Sequence, residues 1–157
     1  MKISLSQQFS SSEQDLFKVL FSAELMELRA EKLHLKNYSF SNFETQKMNF
    51  SATVDLTNIP AVAKSFLGNS LSLTVSAAQS SISPNIISYQ FEFGKVPATV
   101  TLQTTITPLA SDLTQITHDG ELNISIPFIG KKLETQAAQY LPKILEKDAN
   151  LIKQLLP

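Results

Sequence analysis

Two ionisable residues, His118 and Asp148, occupy positions where the surrounding pattern predicts apolar side chains. His118 shares the phase of Ile116 and Leu122 in a stretch that alternates apolar and polar residues, and Asp148 interrupts an apolar stripe of helical spacing. A histidine oriented by a carboxylate can transfer protons, and either group can fix a ligand head group. We therefore predict that the two side chains approach each other or share a water. The alternative is a structural buried pair, or two side chains that reach solvent.

The other histidine and the single arginine are expected to be less informative. His34 lies in the polar phase of its predicted strand, which favours a surface position over a ligand role. Arg29 follows Glu24 and precedes Glu31 in a predicted helix, so it is expected to pair with one of them or to reach solvent. Without a second cation beside it, Arg29 does not predict an anion-binding site.

Composition excludes several kinds of chemistry. The chain of 157 residues has no cysteine, which excludes disulfides, thiolate metal sites and cysteine nucleophiles. Two unlinked histidines and four glycines, with no Gly-x-Ser-x-Gly motif, predict no metal site, no phosphate-binding loop and no hydrolase nucleophile, so no cofactor is expected. The formal charge is -1 and the thirteen cationic residues are scattered, so nucleic acid is not an expected partner.

The N-terminal elements are a strand followed by two short helices. Met1 to Phe9 alternate apolar and polar residues, which indicates a strand and not a signal peptide, so a cytoplasmic location is expected. Ser12 precedes Asp15 by three residues, a capping arrangement that predicts the start of the first helix. The second helix is predicted from about Ser22 to about Glu31, where Glu, Leu and Ala are frequent.

The middle of the chain, from Leu33 to Ile126, has the period of strands separated by Gly, Pro, Asn and Ser. The gaps are too short for crossover helices, so the strands are predicted to form an antiparallel meander. A short helix is predicted from Pro60 to Leu67, because proline suits a first helical position and Gly68 a C-terminal stop. No stretch reaches the roughly 18 apolar residues that a membrane-spanning helix requires.

The C-terminal segment returns to a helical period from about Gly130, and Pro142 is expected to kink or split this helix. A sheet with one apolar face and one long amphipathic helix must pack together, which predicts a two-layer core. Where a curved sheet wraps a helix, the layers can diverge and leave an apolar cavity. The sequence therefore predicts a candidate pocket between the sheet and the C-terminal helix.

The chain is predicted to contain a strand, two helices, a run of strands and a long C-terminal helix, in that order. Within this order lie Phe17 in the first helix, the 59–71 segment IPAVAKSFLGNSL and the Gly120 to Glu134 segment GELNISIPFIGKKLE. In these features the chain resembles the helix-grip fold of the START-like (SRPBCC) superfamily, and more narrowly the bacterial domain-of-unknown-function 2505 family. The resemblance covers nearly the whole chain and implies a lipid-like or other hydrophobic ligand in the groove between sheet and helix. It implies no catalytic residue, because none of these segments is a catalytic signature.

These observations predict an α+β helix-grip domain over residues 1–157, with a curved antiparallel sheet of about seven strands wrapped around the C-terminal helix and two short helices after the first strand. The predicted function is binding or carriage of a hydrophobic or lipid-like small molecule by a monomer or homodimer. Alternatives are a polyketide cyclase-like enzyme that uses the same pocket, and a protein-interaction module without a small ligand. The pocket candidates are Phe17, Phe50, Tyr89, Phe91, His118, Leu122, Tyr140, Leu141, Ile144 and Asp148.

Overall fold

The computed structural model describes residues 1–41 and 46–157, which form seven strands and four helices. In chain order these elements are β1 (Lys2–Phe9), α1 (Glu13–Leu20), α2 (Ala23–Lys32), β2 (Lys36–Ser41), β3 (Lys47–Asp55), α3 (Ala61–Leu67), β4 (Ser70–Gln79), β5 (Ile86–Glu92), β6 (Ala98–Ala110), β7 (Leu113–Ile124) and α4 (Gly130–Leu155).

The strands form one antiparallel sheet in the order β1-β7-β6-β5-β4-β3-β2. Period-two alternation directs one side chain of every two to the inner face, where the long helix α4 packs. One inner row runs from Leu5 through His118 and Thr104 to Ile87. The predicted helix-grip fold is confirmed, including the strand count and the two helices after the first strand.

The short helices begin and end where the sequence predicts. The hydroxyl of Ser12 accepts a hydrogen bond from the Asp15 amide at 3.2 Å, and that of Ser22 caps α2 in the same way. Helix α3 follows Pro60 and ends at Gly68, whose φ of 78° is unfavourable for other residues. These caps satisfy amides that a helix start otherwise leaves unpaired.

Two contacts position α4 over the sheet. The carboxylate of Glu134 accepts a hydrogen bond from the Ile124 amide at 2.9 Å, which ties the first turns of α4 to the end of β7. The side chain of Gln7, which lies in the apolar phase of β1, donates to the Leu145 carbonyl at 3.0 Å. Pro142 does not split α4, which is one helix from Gly130 to Leu155.

The core lies between the sheet, the two N-terminal helices and the C-terminal part of α4. Leu16 of α1, Leu25 of α2, Ile106 of β6 and Ile116 of β7 are fully or almost fully buried there. Among the described residues, no helix is both long enough and apolar enough to cross a membrane. The packed core continues into an unfilled space where the layers diverge.

Candidate functional site

A cavity of about 200 Å³ lies between the inner face of the sheet, α2 and α4. Its walls are mainly apolar, and the sheet residues include Met48, Phe50, Val75, Phe91 and Leu102. Helix α4 contributes Ile144, Leu145, Asp148, Leu151 and Ile152, which recur at the spacing of one helical face. Five polar or ionisable side chains interrupt this apolar lining: Arg29, Tyr89, Thr104, His118 and Asp148.

Arg29 on α2 and Asp148 on α4 form a two-pronged ion pair across the cavity wall. The guanidinium Nε donates to one carboxylate oxygen at 2.6 Å and Nη2 to the other at 2.8 Å. The two side chains are 18% and 25% exposed, so the pair is largely removed from solvent. The prediction that Arg29 pairs with Glu24 or Glu31 is wrong. Residue 29 lies on the inner face of α2, where α4 supplies the only nearby carboxylate among the described contacts.

The ion pair keeps the Arg29 guanidinium charged despite its burial. Burial by itself would lower the pKa of the Arg29 guanidinium, but the charge and hydrogen bonds of Asp148 outweigh it and hold that pKa above its ordinary value. Arg29 is therefore a permanent cation that a carboxylate neutralises inside the cavity wall. The two-pronged geometry also uses both carboxylate oxygens of Asp148.

His118 on β7 contacts Thr104, its direct partner on β6, through a hydrogen bond of 2.9 Å between imidazole Nδ1 and the threonine hydroxyl. Thr104 is 1% exposed, and its hydroxyl makes no other hydrogen bond within the described part of the chain. A buried hydroxyl proton without an acceptor is costly, so we assign the hydroxyl as donor to Nδ1. The imidazole proton then resides on Nε2. Burial lowers the pKa of His118, which favours this neutral form.

Tyr89 on β5 supplies a third polar group. Its hydroxyl makes no hydrogen bond among the described residues, although the ring lines the cavity and stacks beside Phe91 at 6.4 Å between ring centroids. Burial raises the pKa of Tyr89 to about 12, opposed by the Arg29 charge and assisted by that of Asp148. The phenol is therefore protonated at neutral pH and free to bond with a molecule in the cavity.

The structure brings together six of the ten predicted pocket residues. Those that line the cavity are Phe50, Tyr89, Phe91, His118, Ile144 and Asp148. The other four lie elsewhere: Phe17 packs against the core, Leu122 is buried beyond the cavity, Leu141 is half-buried and Tyr140 is exposed. Whether the six bind a ligand stays a prediction.

His118 and Asp148 line the same cavity, and the Asp148 charge acts on the pKa of His118. No hydrogen bond joins them within residues 1–41 and 46–157, because Asp148 is engaged by Arg29 and His118 by Thr104. His34 is exposed, as predicted.

Sequence reasoning missed Arg29 and Thr104 as cavity residues. Arg29 follows Met26 by three residues on α2 and precedes Leu33, the residue directly after the helix, by four, which is the spacing of one helical face. Thr104 shares the inward phase of Leu102 and Ile106. Both signals were therefore present, but a polar residue on an apolar face is informative only when its partner is known.

A shallower hollow on the outer surface adjoins the cavity through a shared residue. Ile144 lines both spaces, and the hollow is otherwise bounded by the 58–60 loop before α3 and by Tyr140, Lys143 and Lys147 of α4. Ile144 is 49% exposed although it lines the interior space. This side chain therefore borders both the cavity and the outer surface.

The free energy of unfolding is expected to decrease as the pH is lowered, because of His118. The unfolded chain protonates this residue near its ordinary pKa, whereas the folded chain protonates it only at a lower pH. Below about pH 6.5 the unfolded state therefore holds more protons, and the free energy of unfolding decreases until the lowered pKa is passed. Urea unfolding of the wild type and His118→Gln at several pH values measures this decrease. An identical pH dependence in both proteins would contradict the assignment.

Comparison with known proteins agrees with the fold. Solved structures similar to this chain include a truncated norcoclaurine synthase from Thalictrum flavum (13% identity, TM-score 0.67, 99% of this chain and 92% of that one). Others are the Zhui aromatase/cyclase from Streptomyces sp. R1128 (12%, 0.58, 99% and 90%) and a START superfamily protein from Mycobacterium smegmatis (14%, 0.60, 99% and 96%). At these identities the likeness shows the fold alone.

No curated protein sequence matches the chain. The sequence pattern described as "Protein of unknown function (DUF2505)" matches residues 4–156, and the chain therefore belongs to the DUF2505 family.

Proposed function

We propose that this protein binds a hydrophobic small molecule in the cavity between its sheet and α4. The observation that carries the proposal is an unfilled interior space of about 200 Å³ with mainly apolar walls. Protein interiors are normally packed without voids of this size, and an apolar cavity is poorly suited to water. An apolar ligand would regain the contacts that the empty space forgoes. A cytoplasmic location and a monomeric or dimeric state are part of the proposal.

The arrangement of the walls supports a ligand of mixed character. Aromatic rings from Phe50, Tyr89 and Phe91 present flat apolar surfaces, while the ion pair and His118 supply a few polar groups. Small-molecule sites commonly combine a mainly apolar lining with a small number of placed polar groups that set orientation. The exposed side chain of Ile144, which borders both the cavity and the outer hollow, supports entry of a ligand at this position.

Native mass spectrometry of the freshly purified protein tests the proposal directly. We expect a mass above that of the denatured chain, and extraction of the excess should release an apolar compound. A clean apo mass, followed by failure of hydrophobic probes to bind when they are added, would contradict the proposal.

Filling the cavity should abolish binding without unfolding the protein. Val75 on β4 faces the cavity, and Val75→Phe replaces its small side chain with an aromatic ring that extends into that space. We expect at least a tenfold loss of affinity for any bound compound. The added ring occupies space that the ligand needs, so the ligand loses buried apolar contact area or must strain the protein to enter. The matched control is Ser76→Phe, one residue along on the opposite face of the same strand. Equal binding by both variants would place the ligand elsewhere.

An enzyme is a second candidate, favoured by the neutral imidazole of His118, the phenol of Tyr89 and the carboxylate of Asp148 in one cavity. Two of the structural neighbours are named as a cyclase and a synthase, so the fold accommodates catalysis in other proteins. The chemistry would be removal of a proton from the carbon next to a carbonyl, with the Asp148 carboxylate accepting that proton and the His118 Nε2–H polarising the carbonyl oxygen. Deuterium exchange at the methyl group of a bound aryl methyl ketone measures it by NMR. The enzyme hypothesis requires faster deuterium exchange with the wild type than with a folded His118→Ala variant.

The third candidate is an interaction module without a small ligand, which predicts a stable dimer or partner complex and an empty, closed interior. A stable complex with a protein partner, together with no binding of any hydrophobic probe, would favour the interaction module over the small-molecule binder.

A further inference from the structure

The polar groups of the cavity carry no net charge. The cation of Arg29 lies 2.6 and 2.8 Å from the two oxygens of the Asp148 anion, so their charges cancel locally. The Tyr89 phenol is protonated and the His118 imidazole is neutral at neutral pH. The apolar residues around them provide no further charge. A ligand that enters with a charge would therefore bring an uncompensated one into a space of low dielectric constant.

The same groups offer more donors than acceptors. The Asp148 oxygens are both occupied by Arg29, while Arg29 Nη1 has only the weak acceptor Met26 Sδ, at 3.9 Å. Tyr89 retains an uncommitted O–H, and the His118 tautomer assigned above presents Nε2–H. Thr104 donates to His118 and has no second proton. The unfilled hydrogen-bonding capacity is thus mainly that of N–H and O–H donors.

We propose, on the basis of the binding function above, that the cavity selects an apolar molecule bearing an uncharged carbonyl oxygen, as in a ketone or ester. Such an oxygen accepts hydrogen bonds from the Tyr89 phenol, from Arg29 Nη1 or from His118 without adding charge. A carboxylate would approach Asp148 as a second anion. The N–H groups of an ammonium ion would face the N–H and O–H groups of the cavity, which are donors as well and cannot accept hydrogen bonds from them. An apolar compound without oxygen would leave the donors unpaired, which weakens binding without excluding it.

Four naphthalene derivatives of similar size test this selectivity, because their rings match the aromatic walls and their fluorescence reports binding. They are the methyl ketone, the ethyl compound, the carboxylate and the aminomethyl compound, each titrated into the full chain at neutral pH. We expect the ketone to bind about threefold to tenfold more tightly than the ethyl compound, the effect of one added hydrogen bond. The carboxylate and the amine should bind at least roughly tenfold more weakly than the ketone.

A variant pair assigns the effect to the polar wall. Tyr89→Phe keeps the ring and removes the hydroxyl, so it should reduce ketone affinity about threefold and leave the ethyl compound unchanged. Tyr38→Phe removes an exposed hydroxyl on β2, away from the cavity and the outer hollow, and should change neither.

The outcomes separate this inference from the proposed function. Binding of the ketone and the ethyl compound with equal affinity, or tighter binding of the carboxylate, overturns the carbonyl selectivity while hydrophobic binding stands. Failure of all four compounds to bind the wild type overturns both the carbonyl selectivity and the proposed binding of hydrophobic molecules.

Discussion

Asp148→Ala is expected to lower the free energy of unfolding by about 3 kcal/mol, because it leaves the Arg29 cation in the cavity wall without its carboxylate. An unpaired charge in a mainly apolar space costs more than the ion pair gains, and the link between α2 and α4 is lost as well. Urea unfolding followed by circular dichroism measures the change. Glu146→Ala, at an exposed position on the same helix, is the control and should change the free energy by less than about 0.5 kcal/mol.

The double variant Arg29→Met and Asp148→Leu separates the cost of an orphaned charge from the value of the pair. Apolar side chains of similar length should recover most of the stability that Asp148→Ala loses, since a buried pair is often no more stabilising than apolar packing. A double variant as unstable as the single one would show that the ion pair itself holds α2 against α4.

Gly120→Ala is expected to destabilise the fold by about 3 kcal/mol or more, the upper range for overpacking. A Cβ at this position would lie 2.1 Å from the Thr101 carbonyl oxygen and 3.0 Å from the Leu102 Cα, both backbone atoms that no side-chain rotation can move. The strands β6 and β7 would have to separate. Urea unfolding measures the loss, with Asn123→Ala, an exposed position of the same strand, as the control.

Gly120 also lies in the inner row that joins Ile3, Leu102 and Tyr89 across the sheet. Separation of β6 from β7 would shift this row and alter the cavity wall that Tyr89 forms. Stability of Gly120→Ala within about 0.5 kcal/mol of wild type would mean that the two strands relax apart at little cost.

Much of the fold follows from local patterns. The alternation of Met48, Phe50 and Ala52 with polar residues predicts a strand with one buried face, and all three are buried. Ser12 and Ser22 predict helix starts that the structure confirms. Pro142 is an exception in part, because α4 continues through it. A proline ring removes one hydrogen bond, and packing along the rest of a 26-residue helix can outweigh that loss.

The sequence alone determined which face of most strands is buried, since a period of 2 residues is a property of the local chain. It therefore identified His118 and Asp148 as polar residues in an apolar interior. Only the tertiary structure decided that Asp148 pairs with Arg29, 119 positions away in the chain, and that His118 bonds to Thr104. It also decided that the layers diverge enough to leave a cavity. These outcomes depend on how separate elements pack against one another, and the periodicity of a single segment contains no information about the distance to another.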